Sequence, residues 1–522
     1  MTSRHVEKRH RRATKPGSLL THVSRRMATI VVVAALITLV AAALSATAAL
    51  SATGQAEATG PAEATGPAEA NDPAATNDPV AALLAHPHEL PDSVATTTGL
   101  LARVALDAPG RTPADSDGAE VSYVVDARGW VQVPSPDVAG VPTGARVIVE
   151  LGARLTPGGP ATAAQRARAG RAVRSLHVVG RLTRPSDEVT PAVTHAHTVT
   201  MVLVVPKGGA TDSMTTTAFR SWLDGTAGPF WNGETQGAVS FTVTAVKGWI
   251  TSAYGCGTQA DANNLFTDVA TKVGFKAATG NHLVLYIAPT SGTAGCRGGL
   301  GTVGTGLASG GTLYVRGTYP SLLSHELGHN LSLGHSNALR CPTQPDGVYT
   351  SSTKTWSNSC AAATYYDMYD VMGFSWGSTG SLNTFQAYRL GLLGSGRVKS
   401  TTKPIRVTLL PVSGHTGLVS LRVTDPAGPV YVIEYRAASG RDSFLANNVY
   451  GVKPGVIVHR VDPGATTQSL LLDDTPSQSG DYVVPVAVGS SMTTASGRVK
   501  ISTDSAGPAN ATVAVRIDGV AP

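Results

Sequence analysis

The stretch SLLSHELGHNLSLGHS, Ser321–Ser336, decides how this chain is read. It sets His325, Glu326 and His329 in an H-E-x-x-H pattern, with His335 just beyond Gly334. Residues i and i+4 share a helix face, so His325 and His329 can offer two imidazoles to one metal ion. Glu326 projects beside them, where a carboxylate can take a proton from an activated water. If Gly334 lets the chain reverse, His335 supplies a third ligand and leaves a fourth position open, the pattern of a catalytic zinc site. Leu323, Leu327 and Leu331 recur at helical spacing and are expected to anchor the helix on a core.

At 522 residues the chain has room for several domains. Its net charge of +6 is concentrated at the N-terminus, where residues 1–26 hold eight Lys or Arg against the single acid Glu7. The rest is near neutral, so the basic balance gives no ground for nucleic-acid binding. After Arg26 an uncharged run, MATIVVVAALITLVAAAL, leads to small residues around Ala46–Ala48. Residues 1–50 read as a secretory signal, or as an uncleaved anchor through residues 27–44 facing outside. Residues 51–80 repeat GPAEA and NDP and form a low-complexity linker. Four cysteines (Cys256, Cys296, Cys341 and Cys360) suit two disulfides in an exported protein, and sequential pairing is expected because both loops are local.

Residues 81–195 alternate in short apolar runs and predict a β-rich domain, either a permanent domain or a removable pro-segment. Within it Ala161–Ser175, bearing four arginines, is expected to be a helix, and His195 and His197 are read as linker residues. Residues 196–398 alternate strands (Thr198–Val205, Ala238–Val246, His282–Ala288) with helices (Thr216–Leu223, Asp261–Val273), giving a mixed layer structure. Asp261 is the expected cap of its helix. Gly295–Gly311 lacks a phosphate-binding ending and is read as a flexible loop. Thr312–Val315 is expected to be a strand that, if it lies at an edge, pairs with an extended peptide. Residues 399–522 read as strands of a β-sandwich-like domain that could bind glycan or cell wall.

A second landmark, YYDMYDVMGFSWG (Tyr365–Gly377), follows the histidines. HELGHNLSLGH followed by DVMG resembles the metzincin clan of zinc metallopeptidases, particularly the gametolysin-like peptidases. The resemblance implies an α+β fold: a twisted mixed sheet with an active-site helix, flanked here by the two β-rich regions. It implies Zn2+ held by His325, His329 and His335, Glu326 as general base, and Met372 in a turn beneath the metal. It also implies a secreted endopeptidase hydrolysing peptide bonds of extracellular proteins, cell-wall glycoproteins included, through a zinc-activated water. The clan pattern has glycine where this chain has Ser332, so the turn out of the helix is expected to shift to Asn330 or Gly334, with Asp367 or Asp370 as the alternative third ligand. A tyrosine among Tyr365, Tyr366 and Tyr369 could donate to the oxyanion, although packing or capping is the better explanation of each. Two other readings stay open: a non-catalytic exported binding protein with a structural metal site, and a serine hydrolase using Ser375 in Gly373–Gly377. The sequence shows no D-x-D-x-D-G loop for calcium and does not indicate an oligomeric state.

Overall fold

The computed structural model describes residues 78–108, 117–156, 162–179, 193–289, 295–374, 377–476 and 482–522. The signal or anchor, the linker up to residue 77, and Ser375 lie outside the described residues. Among the described residues no helix is long and apolar enough to cross a membrane. The fold is α+β and rich in sheet.

The first sheet has ten strands and runs without a break from the N-terminal region into the central one. Its strands are β1 (Thr96–Ala108), β2 (Asp117–Asp126), β3 (Gly129–Val133), β4 (Arg146–Leu155), β5 (Gly170–Val178), β6 (His195–Val205), β7 (Val239–Thr251), β8 (Asn281–Ile287), β9 (Gly299–Val303) and β10 (Gly311–Arg316). The lateral order is β3-β2-β1-β9-β10-β8-β6-β7, with β4 and β5 continuing from the first half of β1. β6, β7, β8 and β10 are parallel, whereas β9 is antiparallel to β10 and to β1. The strand expected over Thr198–Val205 forms as part of β6 and lies inside this sheet, with apolar cores on both faces. One face carries the helix Gln259–Val273, the other the histidine helix and the segment Thr216–Glu234.

Several expectations are corrected. Arg171 and Arg174 lie on β5 rather than on a long helix; only Ala163–Ala167 is helical there. Leu176 and Val178 alternate as in a strand, Val173 returns to the same face across a register shift opposite Glu150 and Leu151, and all three pack on a core. The helix Gln259–Val273 is capped by Thr258, whose hydroxyl accepts from the Asp261 amide, so Asp261 sits one turn inside. His195 and His197 are strand residues; His197 is buried and its Nδ1 lies 2.8 Å from His282 Nε2. The glycine-rich segment contains β9, a strand. Finally, β10 is enclosed between β8 and β9, so it has no open edge for a peptide.

A second, seven-stranded sheet joins Ser336–Arg340 (β11) and Ala361–Ala363 to five strands from Val398–Leu472. A four-stranded sheet built from Ile405–Leu409 and residues 491–517 shares its core, with Leu421, Ile433 and Val458 meeting Leu409, Ile501 and Val515. Two sheets around one apolar layer make a sandwich. The disulfides are Cys256–Cys296 and Cys341–Cys360, the sequential pairing, and they suit an oxidising compartment.

Candidate metal centre

The histidine helix, Leu322–Asn330, is buried along its whole length. Leu323, Leu327 and Leu331 lie in the core as their spacing predicts, and the Trp231 indole N–H donates to the Ser324 carbonyl. The helix exit departs from the expectation. The Leu333 amide donates to the Gly328 carbonyl and the Ser332 amide to that of His329, while Ser332 itself takes φ +84°. This is a Schellman ending with serine in the left-handed position that glycine usually fills. The turn has not shifted to Asn330 or Gly334. Gly334 instead permits a close approach, since a Cβ there would meet the Glu120 carboxylate at 2.5 Å and the Thr467 carbonyl at 2.8 Å.

This exit brings His335 back to the helix. The His329 and His325 Nε2 atoms are 3.1 Å apart, and the His335 ring centroid lies 5.0 and 5.6 Å from theirs. A fourth residue joins them, Asp107 from β1. Its Oδ1 is 2.7 Å from His335 Nε2 and 3.4 Å from His325 Nε2, and its Oδ2 is 3.3 Å from His329 Nε2. The four donor atoms lie within 4.8 Å of one another, and all four residues are buried.

The donor chemistry fits a metal ion. His325 Nδ1 lies 2.8 Å from the Val371 carbonyl and His329 Nδ1 2.7 Å from that of Leu333. A carbonyl can only accept, so both Nδ1 atoms carry a hydrogen and Nε2 is the nitrogen each ring turns to the cluster. Burial holds His325 down at about 4, so its ring is neutral and its Nε2 presents a lone pair. The two Nε2 atoms stand 3.1 Å apart. Tetrahedral ligands at zinc distances would stand about 3.3 Å apart, close to the spacing found here. Burial works to raise the Asp107 pKa, but the three histidines, His335 foremost, hold its carboxyl well below the usual range.

Glu326 and Tyr365 flank Asp107 from opposite sides. In the sheet, Asp107 is in register with Gly118 of β2 and Gly299 of β9. A Cβ at Gly299 would lie 2.6 Å from Glu326 Cδ, and one at Gly118 would lie 2.7 Å from Tyr365 Cε2. The two glycines therefore leave the space that these side chains fill. Glu326 is fully buried, and burial, then the Asp107 charge, push its pKa well above the ordinary carboxylate value. The Tyr365 hydroxyl donates to Asp107 Oδ1. Met372 lies against the helix, where a Cβ at Gly328 would meet its Cε at 3.2 Å.

The alternative ligands are engaged elsewhere. Asp367 Oδ2 is 2.8 Å from His459 Nε2, and Asp370 accepts from the Ser336 hydroxyl and the Met372 amide. Asp107 was missed from the sequence because no local motif carries it. Its one signal is that of an acid closing a strand run, Leu100–Leu106, that is apolar except for Arg103. Where β1 leaves the cluster at Ala108, a cleft of about 1060 Å³ opens beside Arg297, Arg316 and Tyr319.

No protein-family model and no curated protein matches this chain. Among solved structures, the crystal structure of metalloproteinase-II from Bacteroides fragilis is similar over 53% of this chain and 77% of that one, at 10% identity and a TM-score of 0.24. A likeness of that size carries no argument about the site, and none of these comparisons supports the narrower gametolysin-like resemblance.

Proposed function

We propose that this chain is the latent form of an exported zinc-dependent endopeptidase. The observation that carries the reading is the convergence of three buried histidines and a carboxylate on one point beside a buried glutamate. His325, His329 and His335 would hold the metal, and Asp107 would fill the fourth position until it is displaced. Bound zinc would supply Lewis acidity, making a water more acidic and a carbonyl more electrophilic. Glu326 would take the proton from the attacking water and pass it to the leaving amine. The substrate would be a peptide laid along β9, the edge that Arg103–Asp107 of β1 now occupies by antiparallel pairing. In this reading the region 81–195 acts as a pro-domain, residues 196–398 hold the catalytic machinery and residues 399–522 support it. Extracellular proteins, glycoproteins included, are the proposed substrates.

One observation favours a second reading. Four protein ligands and full burial also describe a closed structural metal site. Such a site has no use for Glu326, which occupies space cleared by a glycine on the neighbouring strand.

The deciding experiment loads the full chain with zinc and follows cleavage of a denatured general protein substrate before and after limited trypsin treatment. The expected result is no cleavage before treatment and cleavage after it. Glu326→Ala and Glu326→Gln should keep one zinc per chain, measured by mass spectrometry, and lose cleavage. Cleavage by either variant at the wild-type rate, or a trypsin-treated wild type that binds zinc and cleaves nothing, overturns the proposal.

A further inference from the structure

We infer that Tyr365 is a catalytic residue whose hydroxyl donates to the oxyanion formed as the peptide carbonyl is attacked, an assignment that rests on the peptidase reading above. The Asp107 carboxylate shows where that oxyanion would lie. It sets two oxygens on one carbon against the three imidazoles, one oxygen 2.7 Å from His335 Nε2 and the other 3.3 Å from His329 Nε2. A peptide carbonyl that has added water also carries two oxygens on one carbon. Asp107 therefore stands in for the tetrahedral species, and its neighbours are the groups that species would meet. Glu326 approaches from the β9 side and Tyr365 from the β2 side.

Three features make Tyr365 more than packing. Its backbone sits at φ +64°, a left-handed conformation that costs an aromatic residue about 1–2 kcal/mol. Its amide is fixed by the Asn337 side-chain oxygen at 3.0 Å. Its ring lies 4.8 Å from that of His335 and is wholly buried, so a phenylalanine would fill the same space without the hydroxyl. Once Asp107 leaves, an oxygen that takes its place would meet the same hydroxyl donor. The neighbouring tyrosines do not compete: Tyr369 donates to the Lys453 carbonyl, and the Tyr366 ring packs near Tyr482 under Arg340.

The step balances without another reagent. Water gives one proton to Glu326 and its oxygen bonds to the carbonyl carbon. The carbonyl π pair moves onto oxygen, where the Tyr365 O–H donates to it without losing its proton. On collapse the pair re-forms C=O, the C–N bond breaks, and the amine takes the proton from Glu326.

The test compares wild type, Tyr365→Phe and Glu326→Ala as zinc-loaded full chains after limited trypsin treatment. One readout is peptide cleavage. The other, independent of turnover, is calorimetric binding of a phosphinic peptide, whose tetrahedral phosphorus carries two oxygens. Removing one oxyanion donor should lower kcat about 100-fold with KM little changed, and weaken the phosphinic peptide in proportion. Binding of the uncleaved substrate peptide, measured in the Glu326→Ala background, should change less than about threefold on adding Tyr365→Phe. Values for Tyr365→Phe within about threefold of wild type in both kcat and phosphinic affinity overturn the inference. If that variant does not fold, 3-fluorotyrosine in place of Tyr365 keeps the ring and offers a more acidic donor; it should tighten phosphinic binding, and unchanged affinity overturns the inference. Cleavage by Glu326→Ala at the wild-type rate would instead defeat the peptidase reading itself.

Discussion

Gly299→Ala puts one methyl group between β9 and the proposed base. The added Cβ would lie 2.6 Å from Glu326 Cδ and 3.3 Å from its Cγ. Carbon atoms in ordinary contact stand about 3.5–4.0 Å apart, and Glu326 Oε1 lies nearer still to the added methyl, so the carboxylate end must retreat by at least about 1 Å. The backbone need not move, because the clash falls on the end of a side chain. The folding cost should therefore lie in the ordinary range for overpacking, about 1–3 kcal/mol. The functional cost should be larger, since a misplacement of about 1 Å can reduce rate about 100-fold. The metal ligands are not touched, so zinc stoichiometry should stay at the wild-type level. The assay is kcat/KM of the trypsin-treated full chain on a peptide, with zinc content and urea unfolding measured on the same preparation. Gly118→Ala is the matched control, because it pushes on Tyr365 from β2, in the proposed pro-domain. On that proposal it should loosen the latent form and leave the treated chain active. If Gly299→Ala retains kcat/KM within about threefold of wild type, the argument that this glycine makes room for a working carboxylate is wrong.

Two other expectations follow. Ser332 holds a left-handed φ of +84° at the helix exit, so Ser332→Gly should stabilise the fold by about 1 kcal/mol, read as a higher urea midpoint; a lower midpoint would show that the serine side chain matters more than its backbone strain. His282 is wholly buried, and burial first, then His197, hold its pKa at about 3. An unfolded histidine titrates near about 6.5, so between these values the unfolded chain binds the extra proton. This stability is complete above about pH 6.5 and is lost as the pH falls toward about 3, a total of about 5 kcal/mol at about 1.4 kcal/mol per unit. Urea unfolding at about pH 7 and about pH 4.5 measures about 3 kcal/mol of it, since about two units of the range are crossed, and a His282→Gln chain with the same pH slope would refute the assignment.

What the sequence displayed and what it concealed divide by distance along the chain. His325, Glu326 and His329 sit within one helical turn or so, and helical periodicity alone orients them. The leucines beneath them follow the same period and are buried as expected. Asp107 is 228 residues from His335, and only the pairing of β1 with β9 brings them together. No local pattern encodes that pairing. Gly299 and Gly301 misled in a different way: composition makes a glycine-rich run look like a loop, yet these glycines lie in a strand so that Glu326 and His329 can pack against it. Ser332 shows a third kind of failure. A left-handed serine is costly, so propensity moves the turn to Asn330 or Gly334, but the capping hydrogen bonds and the buried helix keep it at Ser332.

The position of His335 depends on the sandwich that the sequence set apart as a separate region. Immediately after this histidine the chain enters β11, which pairs in parallel with Ser469–Leu472, and the Ser469 amide donates to the His335 carbonyl itself. The Ser336 amide donates to the Met372 carbonyl, and the Val371 carbonyl next to it fixes the His325 ring. That turn is held in place by Asp367, which is bonded to His459 on a strand of the same sheet and receives the Asn383 side-chain amide. The second sheet thus fixes both the strand leaving the third histidine and the carbonyl that orients the first. A histidine following an irregular helix exit has many accessible directions in isolation. Here a strand far downstream, Ser469–Leu472, leaves it one.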